Sequence, residues 1–513
     1  MLHAPNLRHP FAISAAIVVG LLAPLNAAEP KDDRVFKAGL AERDITPDLG
    51  MEQPGGYGKA FHTKLHDPCK VRAVVFDDGT TRVALVGLDA LLLHRPTVLA
   101  ARKRIEQRCG IPGANVLISA SHSHSSGPTG MVLPGQFDDA EPFVKELAYE
   151  KSSCANPEYL QRVEDQIVDA VCAANEARVN AKAGVGKGIE DKVAFNRRFR
   201  MRNGLTMTHP RQGNPDMLDV AGPTDPEVGV IGVWDESGKF LGCVVNYACH
   251  ATAGPGGISA NYIYYLEQVV RGAMGSDAVV VFLPGACGDI TQVNNLDPEV
   301  PRKPEPSSRF VGGRIGAEAV KVLLTMEAGK LLPLTSKSTL LEMGHRVPKP
   351  ERVERCRKIA ASDSASADRT EWTFAKEIVL LDYLLKTKKT TEVEVQAVQV
   401  GPAVFVSNPA EYFCQYGLDV KAGSPFAFTF PVELADGCVG YVPTEEALGP
   451  RGGGYETRLT FYSHLEPAAG RKIADAGIAL TKTLTPGVEP RRPAAPPYKG
   501  GAWGYGSVPP EVD

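Results

Sequence analysis

Residues 115–130 read NVLISASHSHSSGPTG, an apolar run followed by two histidines one residue apart among serines, then Gly and Pro. Apolar β-formers bounded by turn residues mark a buried strand that stops abruptly. If the chain stays extended, His122 and His124 project from the same face, because side chains along a strand alternate with a period of two. Metal-capable residues just past a strand stand at the edge where α/β sheets bind ligands. The serines and Gly127 let the chain turn sharply off that strand.

The same punctuation recurs down the chain. CVVNYAC leads to His250, AVVVFLPGACG to Asp289 and Thr291, AVFVSNPA to Glu411, and DGCVG to Tyr441. The repetition predicts one convergent site built from several strand ends. A catalytic zinc takes three protein ligands and keeps a position open for water, and two His with a carboxylate suit that role. Each segment alone also has a plainer reading. His250 fits a hydrogen-bonded core residue, the serine-rich stretch a turn, Glu411 an acid favoured at a helix N-terminus, and Tyr441 a strand aromatic.

Around these segments the elements alternate. Apolar runs on either side of Asp77, Asp78 and Gly79 predict a hairpin with an Asp-Gly turn. NPEYLQRVEDQIVDAVCAANEARV predicts a helix with Asn156 as N-cap, Pro157 at its first position, and Leu160, Val163, Ile167, Val168 and Val171 on one stripe. FLGCVVNYACH, AVVVFLPGACGD and TEVEVQAVQVGPAVFVSNP read as further strands, and helices are expected near 262–274, 310–324, within 350–386, and over 467–484. This interleaving predicts an α/β fold, with mixed β-sheets layered with helices, the metal site at strand ends, and a single large catalytic domain over 28–485.

The 513 residues are 43% hydrophobic and 23% charged, with a formal net charge of -4, and no run of Lys and Arg interleaves with aromatics. Nucleic acid is therefore not an expected partner. Arg8 before FAISAAIVVGLLAPL reads as a secretory signal over 1–27, with a small-residue cleavage site near Ala27 or Ala28. The stretch is shorter than the roughly 20 apolar residues of a membrane span and contains Pro24. A secreted or periplasmic protein is expected. The ten cysteines lack the density of a disulfide framework and read mostly as small buried thiols. The Pro- and Gly-rich tail over 486–513 is expected to wrap the surface or to be loosely ordered.

Taken together, the segments resemble the neutral/alkaline ceramidase family of metal-dependent amidases. NVLISASHSHSSGPTG resembles the family's HTHSGP segment, NYACHATA its second His segment, GACGDITQVN its GDVSPN loop and NPAEYF its PGE segment. GYVPTEEALGPRGGGYET resembles its Tyr segment and FNRR, at 195–198, its NRS, in the family's order from about 38 to 471. The resemblance implies one Zn2+ per chain held by His122, His250, Glu411 and Tyr441. It implies catalytic roles for His124, which would pass a proton to the leaving amine, and for Arg197 and Tyr455, which would face the developing oxyanion. Thr291 stands where the family's loop carries Ser, keeping a hydroxyl on a stiffer side chain. Asn261, in GGISANYIYYLE, stands where an Asp is usual, removing a charge near the expected mouth of the site.

The activity so implied is hydrolysis of an N-acyl, ceramide-like amide by metal-activated water, on a small-molecule or lipid substrate; membrane contact and oligomeric state stay open. Two rival readings stand beside it. One is a metallohydrolase of another class, a phosphoesterase or other amidohydrolase, with both histidines as ligands and Asp89 or Asp289 completing a two-metal site. The other is a non-catalytic secreted binding protein on the same fold, motivated by Thr291 and Asn261.

Overall fold

The strand that precedes His122 spans Val116–Ala120 and lies at one edge of an eight-stranded sheet. The computed structural model describes residues 34–297, 304–362, 368–492, 495–497, 499–501 and 508–512, and from Val35 onward they form one compact unit. The proposed signal over 1–27 lies outside the described residues. No described helix is long and apolar enough to cross a membrane.

The eight strands run in the order Val279–Pro284, Phe240–Tyr247, Glu227–Asp235, Val179–Ile189, Lys37–Asp44, Lys70–Asp77, Arg82–Leu88 and Val116–Ala120. The outermost pair at each end is parallel and the interior is antiparallel. The hairpin predicted at Gly79 is present, with φ 88° at that glycine and Asp78 Oδ1 accepting from the backbone of Thr80 and Thr81. The sheet curls until strands from its two ends touch. A Cβ at Gly87 would sit 2.3 Å from Phe282 O, so this close approach requires glycine.

A second, four-stranded sheet is ordered Leu334–Met343, Thr391–Val400, Ala403–Ser407, Phe428–Val432. Its inner face, through Val398, Phe405 and Phe430, packs on Phe76, Leu85 and Val244 of the first sheet. The backbone of Ala120 donates to Leu434 O, and Ser119 bridges Ala435, so the two sheets meet beside the strand end that carries His122.

Helices cover the outer faces. Pro157–Glu176 starts where the sequence placed it, with Asn156 Oδ1 accepting from Tyr159 N. It buries Val163, Ile167, Val168 and Val171, while Leu160 is only half-buried. Tyr262–Met274 and Pro304–Thr325 cover the other half of the large sheet, and Cys414–Gly423 and Ala469–Lys482 cover the small one. The result is a helix–sheet–sheet–helix stack of mixed α/β character.

The stretch 350–386 forms two helices, Pro350–Ala360 and Arg369–Thr387, that pack together beside the site against Leu91, Leu92, Met131 and Phe461. All ten cysteines are unpaired, seven of them buried. At the tail, Gly487 N donates to Gly401 O and Arg492 pairs with Glu327 at 2.8 Å, so its first residues run along the surface.

Candidate metal centre and active site

His122 sits two residues past its strand with φ 63°, a left-handed conformation that bulky residues rarely adopt. That turn aims its ring back over the strand end. Its Nδ1–H donates to Leu91 O at 2.8 Å, and the Nδ1–H of His250 donates to Cys287 O at 2.7 Å. A carbonyl can only accept, so both rings carry a proton on Nδ1, and Nε2 is the nitrogen each ring turns toward Glu411. Glu411 follows the strand Ala403–Ser407 and pairs with Tyr441 across a short parallel ladder, which places the two side by side.

These atoms converge. Glu411 Oε2 lies 3.2 Å from His122 Nε2 and 3.4 Å from His250 Nε2, and the Tyr441 hydroxyl lies 3.4 Å from His250 Nε2. Glu411 Oε2 is nevertheless buried without accepting a hydrogen bond. The two imidazole nitrogens and the carboxylate oxygen, buried within 4.8 Å of one another, form a group that could hold a metal ion. Tetrahedral ligands about 2.0–2.1 Å from zinc stand about 3.3–3.4 Å apart, so the residues present fit a zinc-type ion.

The electrostatics follow from the same contacts. Burial opposes charge on every group. The His122 and His250 rings nevertheless outweigh it at Glu411 and hold that carboxyl well below the usual range. His122 is raised in turn, because the Glu411 charge overcomes its burial. Burial, with Arg197 nearby, pushes His250 down to about 3, and burial beside His122 and His250 drives His124 well below the ordinary imidazole range.

His124 Nε2 stands 3.3 Å from His122 Nε2 at the wall of a cavity of about 50 Å³ that also exposes Glu411 and Tyr455, between Tyr57 and Tyr462. Gly55 holds this ring from the other side: at φ 99°, a Cβ there would lie 2.3 Å from His124 Nδ1. Arg197 is buried and donates from Nη2 to Gly288 O at 2.7 Å and to the Tyr441 hydroxyl at 3.2 Å. The hydroxyls of Tyr441 and Tyr455 are 2.6 Å apart. One guanidinium and two phenols thus line up beside the His–His–Glu cluster.

Other expected residues lie elsewhere. The Thr291 hydroxyl contacts Gln292 Oε1 at 3.3 Å and accepts from Val293 N at 3.4 Å, so it is turned to its own loop. Asn261 is fully buried and caps Tyr262–Met274, with φ 64° and Oδ1 accepting from Tyr262 N, which is why a short side chain tolerant of positive φ stands there. Asp89 pairs with Arg72 at 2.8 Å, and Asp289 accepts from Asn196 and Cys414 N. Neither aspartate points its charge at the cluster.

Two acids absent from the sequence reading shape the centre. Glu433 accepts from Cys287 Sγ, Cys287 N and Tyr412 N at 2.8–2.9 Å, clamping the carbonyl that orients His250 and the residue next to Glu411. Burial pushes its carboxyl up to about 7. It closes the apolar run FTFPV, the same strand-end punctuation that marks the ligands. Glu456, fully buried, accepts from Arg197 Nε at 2.8 Å and from Thr208 Oγ1 at 2.5 Å. Its position beside Tyr455 was the available signal.

Fold and site together define a class: a layered α/β protein with a His–His–Glu centre at its strand ends. No family model matches the chain. The neutral ceramidase of Pseudomonas aeruginosa is 23% identical over 250 residues, covering 47% of this chain. That match spans about a third of the relative's own length, 34%. The crystal structure of neutral ceramidase from Pseudomonas aeruginosa superposes with a TM-score of 0.63 at 18% identity, covering 90% of this chain and 77% of the other. A ceramidase complexed with C2 superposes at 0.64, also at 18% identity, covering 90% and 78%. The chain is similar in sequence to neutral ceramidase over part of its length and shares its fold.

Proposed function

We propose that the chain is a metal-dependent amide hydrolase that cleaves an N-acyl, ceramide-like linkage with water, and that it works outside the cytoplasm after removal of the segment over 1–27. The observation that carries this reading is the buried, unbonded Glu411 oxygen 3.2 Å from His122 Nε2 and 3.4 Å from His250 Nε2. His122, His250, Glu411 and Tyr441 would hold one zinc-type ion. Such an ion, when bound, polarises a carbonyl and lowers the pKa of water to about 7.

The chain's own groups then divide the work. Arg197, held by Glu456 and Gly288 O, and the Tyr455 phenol supply fixed donors for negative charge developing on a carbonyl oxygen. The His124 ring, at the cavity wall 3.3 Å from His122 Nε2, is placed to carry a proton to a departing amine. Tyr57 and Tyr462, hydroxyls 3.3 Å apart, wall the cavity against bulk water.

Metal analysis with an amide panel tests this. His122→Ala is expected to lose the metal, whereas His124→Ala keeps it and loses rate, and wild-type turnover should disappear with a chelator. Metal-free wild-type protein, or activity indifferent to His122→Ala and Glu411→Ala, would sink the proposal.

A further inference from the structure

We infer that Lys376 is a positioning residue for the proposed reaction: its ammonium fixes a glycine-rich strap over 54–58 as one wall of the cavity beside His122 and Glu411; this rests on the amide-hydrolase reading. The strap reads PGGYG, with three glycines in five residues. Its base is secured, since Gln53 N donates to Ala60 O at 2.8 Å and Glu52 bridges Phe61. Between those points, among the described residues, no backbone–backbone hydrogen bond involves 54–59. Glycine has more backbone freedom to lose than any other residue, so such a segment does not hold one shape by itself.

Two contacts tie the strap's shape to the site. Gly55 packs so closely on His124 that a Cβ there would lie 2.3 Å from Nδ1, and Tyr57 lines the cavity with its hydroxyl 3.3 Å from that of Tyr462. A shift of the strap therefore moves a cavity wall and loosens the packing against His124. The one hydrogen bond to the strap's backbone among the described residues comes from another element. Lys376 Nζ donates to Tyr57 O at 2.5 Å, to Ser152 Oγ at 2.6 Å and to Lys151 O at 3.2 Å, and it pairs with Glu377 at 3.1 Å.

The lysine stands in the helix Arg369–Thr387, where every residue from Phe374 to Leu381 is buried. Packing alone does not call for a charge there, because a buried ion pair replaced by apolar residues of similar volume is often as stable. An apolar residue, however, offers the Tyr57 carbonyl no donor. Phe374, two residues earlier, meets the Tyr57 ring with centroids 5.3 Å apart, so the same helix holds both the backbone and the side chain of Tyr57. Lys376 thus passes the rigidity of a packed helix to a segment that has little of its own.

Two variants and a control provide the test. Lys376→Met leaves Glu377 without its partner, so Lys376→Met combined with Glu377→Leu is made beside it to keep the protein folded. Glu267→Gln is the control, since it breaks a buried ion network whose partners Arg72, Lys70 and Arg271 lie outside the cavity lining. With hexanoyl p-nitroanilide as substrate, KM in both Lys376 variants is expected to rise at least about fivefold at wild-type metal content, and to stay within about twofold of wild type in the control. Loss of folded protein lowers the maximal rate and leaves KM alone, so a merely structural lysine would not move it. Chymotrypsin reads the strap without turnover: cleavage after Tyr57, identified by fragment mass, should run at least about tenfold faster in the Lys376 variants than in wild type or the control. An unchanged KM, or an unchanged rate of cleavage after Tyr57, in the combined variant would overturn the assignment. If wild type cleaves neither this anilide nor any other amide of the panel, the hydrolase reading fails separately, and the chymotrypsin rates still decide whether Lys376 holds the strap.

Discussion

Replacing Glu456 by Gln removes a charge from the buried layer behind the candidate active site. Arg197 Nε lies 2.8 Å from Glu456 Oε1 and Arg198 Nε lies 3.8 Å from Oε2; both guanidinium groups are 3% exposed. No other carboxylate among the described residues lies within ion-pair distance of either. Charge centres about 4 Å apart at an effective dielectric near 20 attract by about 4 kcal/mol. Breaking a buried pair by removing one partner costs about 3–5 kcal/mol. Glutamine retains an accepting oxygen for Arg197, so the expected loss is at the lower end, about 3 kcal/mol. Arg197 would also lose its aim at the Tyr441 hydroxyl, and removal of one such donor costs about a hundredfold in rate. Urea unfolding and steady-state amide hydrolysis, with metal content unchanged, measure the two effects. The double variant Arg197→Met with Glu456→Leu should regain stability without regaining activity. Glu456→Gln within about 0.5 kcal/mol of wild type and with full activity would refute the reasoning.

Three further expectations follow from burial and sterics. Lys376, fully buried, donates to Tyr57 O, Ser152 Oγ and Lys151 O and pairs with Glu377 at 3.1 Å, so Lys376→Met should cost about 3 kcal/mol in urea unfolding. Burial already pushes Glu377 up, and without its partner that carboxyl should protonate, making the variant's deficit smaller at pH 5 than at pH 8. Gly55→Ala should collide with the His124 ring and lower kcat/KM at least about tenfold while metal content stays at wild-type level. For Glu267, burial would raise the carboxyl, but Arg72, Lys70 and Arg271 outweigh it and hold it at about 2, against an ordinary 4.5. A depressed acid stabilises above its unfolded pKa and loses that contribution as pH falls toward the folded one. The shift corresponds to about 3 kcal/mol, of which about 2 should be gone by pH 3. Urea midpoints of Glu267→Gln should therefore fall less steeply than wild type between pH 5 and 3, and parallel slopes would refute the assignment.

Much of the local structure was legible because it is set by neighbours in the chain. Asn156 and Pro157 announce a helix start through an unpaired donor and a preset φ. Asp78 and Gly79 announce a hairpin through a turn that favours glycine. Apolar runs ending at His122, His250 and Glu411 are likewise local, as was the apolar run ending at Glu433, whose meaning depended on contacts with Cys287 and Tyr412. Asn261 shows the limit. Its letter suggested a missing charge, whereas its φ of 64° and its bond to Tyr262 N make it a helix cap.

By itself the sequence determined where strands stop and which metal-capable side chains follow them, since alternation, turn chemistry and capping act over a few residues. Only the tertiary structure decided that those side chains share one point. His122 and Glu411 are brought within 3.2 Å by a meeting of two sheets, through Ala120 N to Leu434 O, that no nearest-neighbour preference encodes. It also decided that Thr291 turns away and that Glu456 aims Arg197, because the cost of leaving a buried charge or lone pair unpaired depends on everything packed around it, not on its neighbours in the chain.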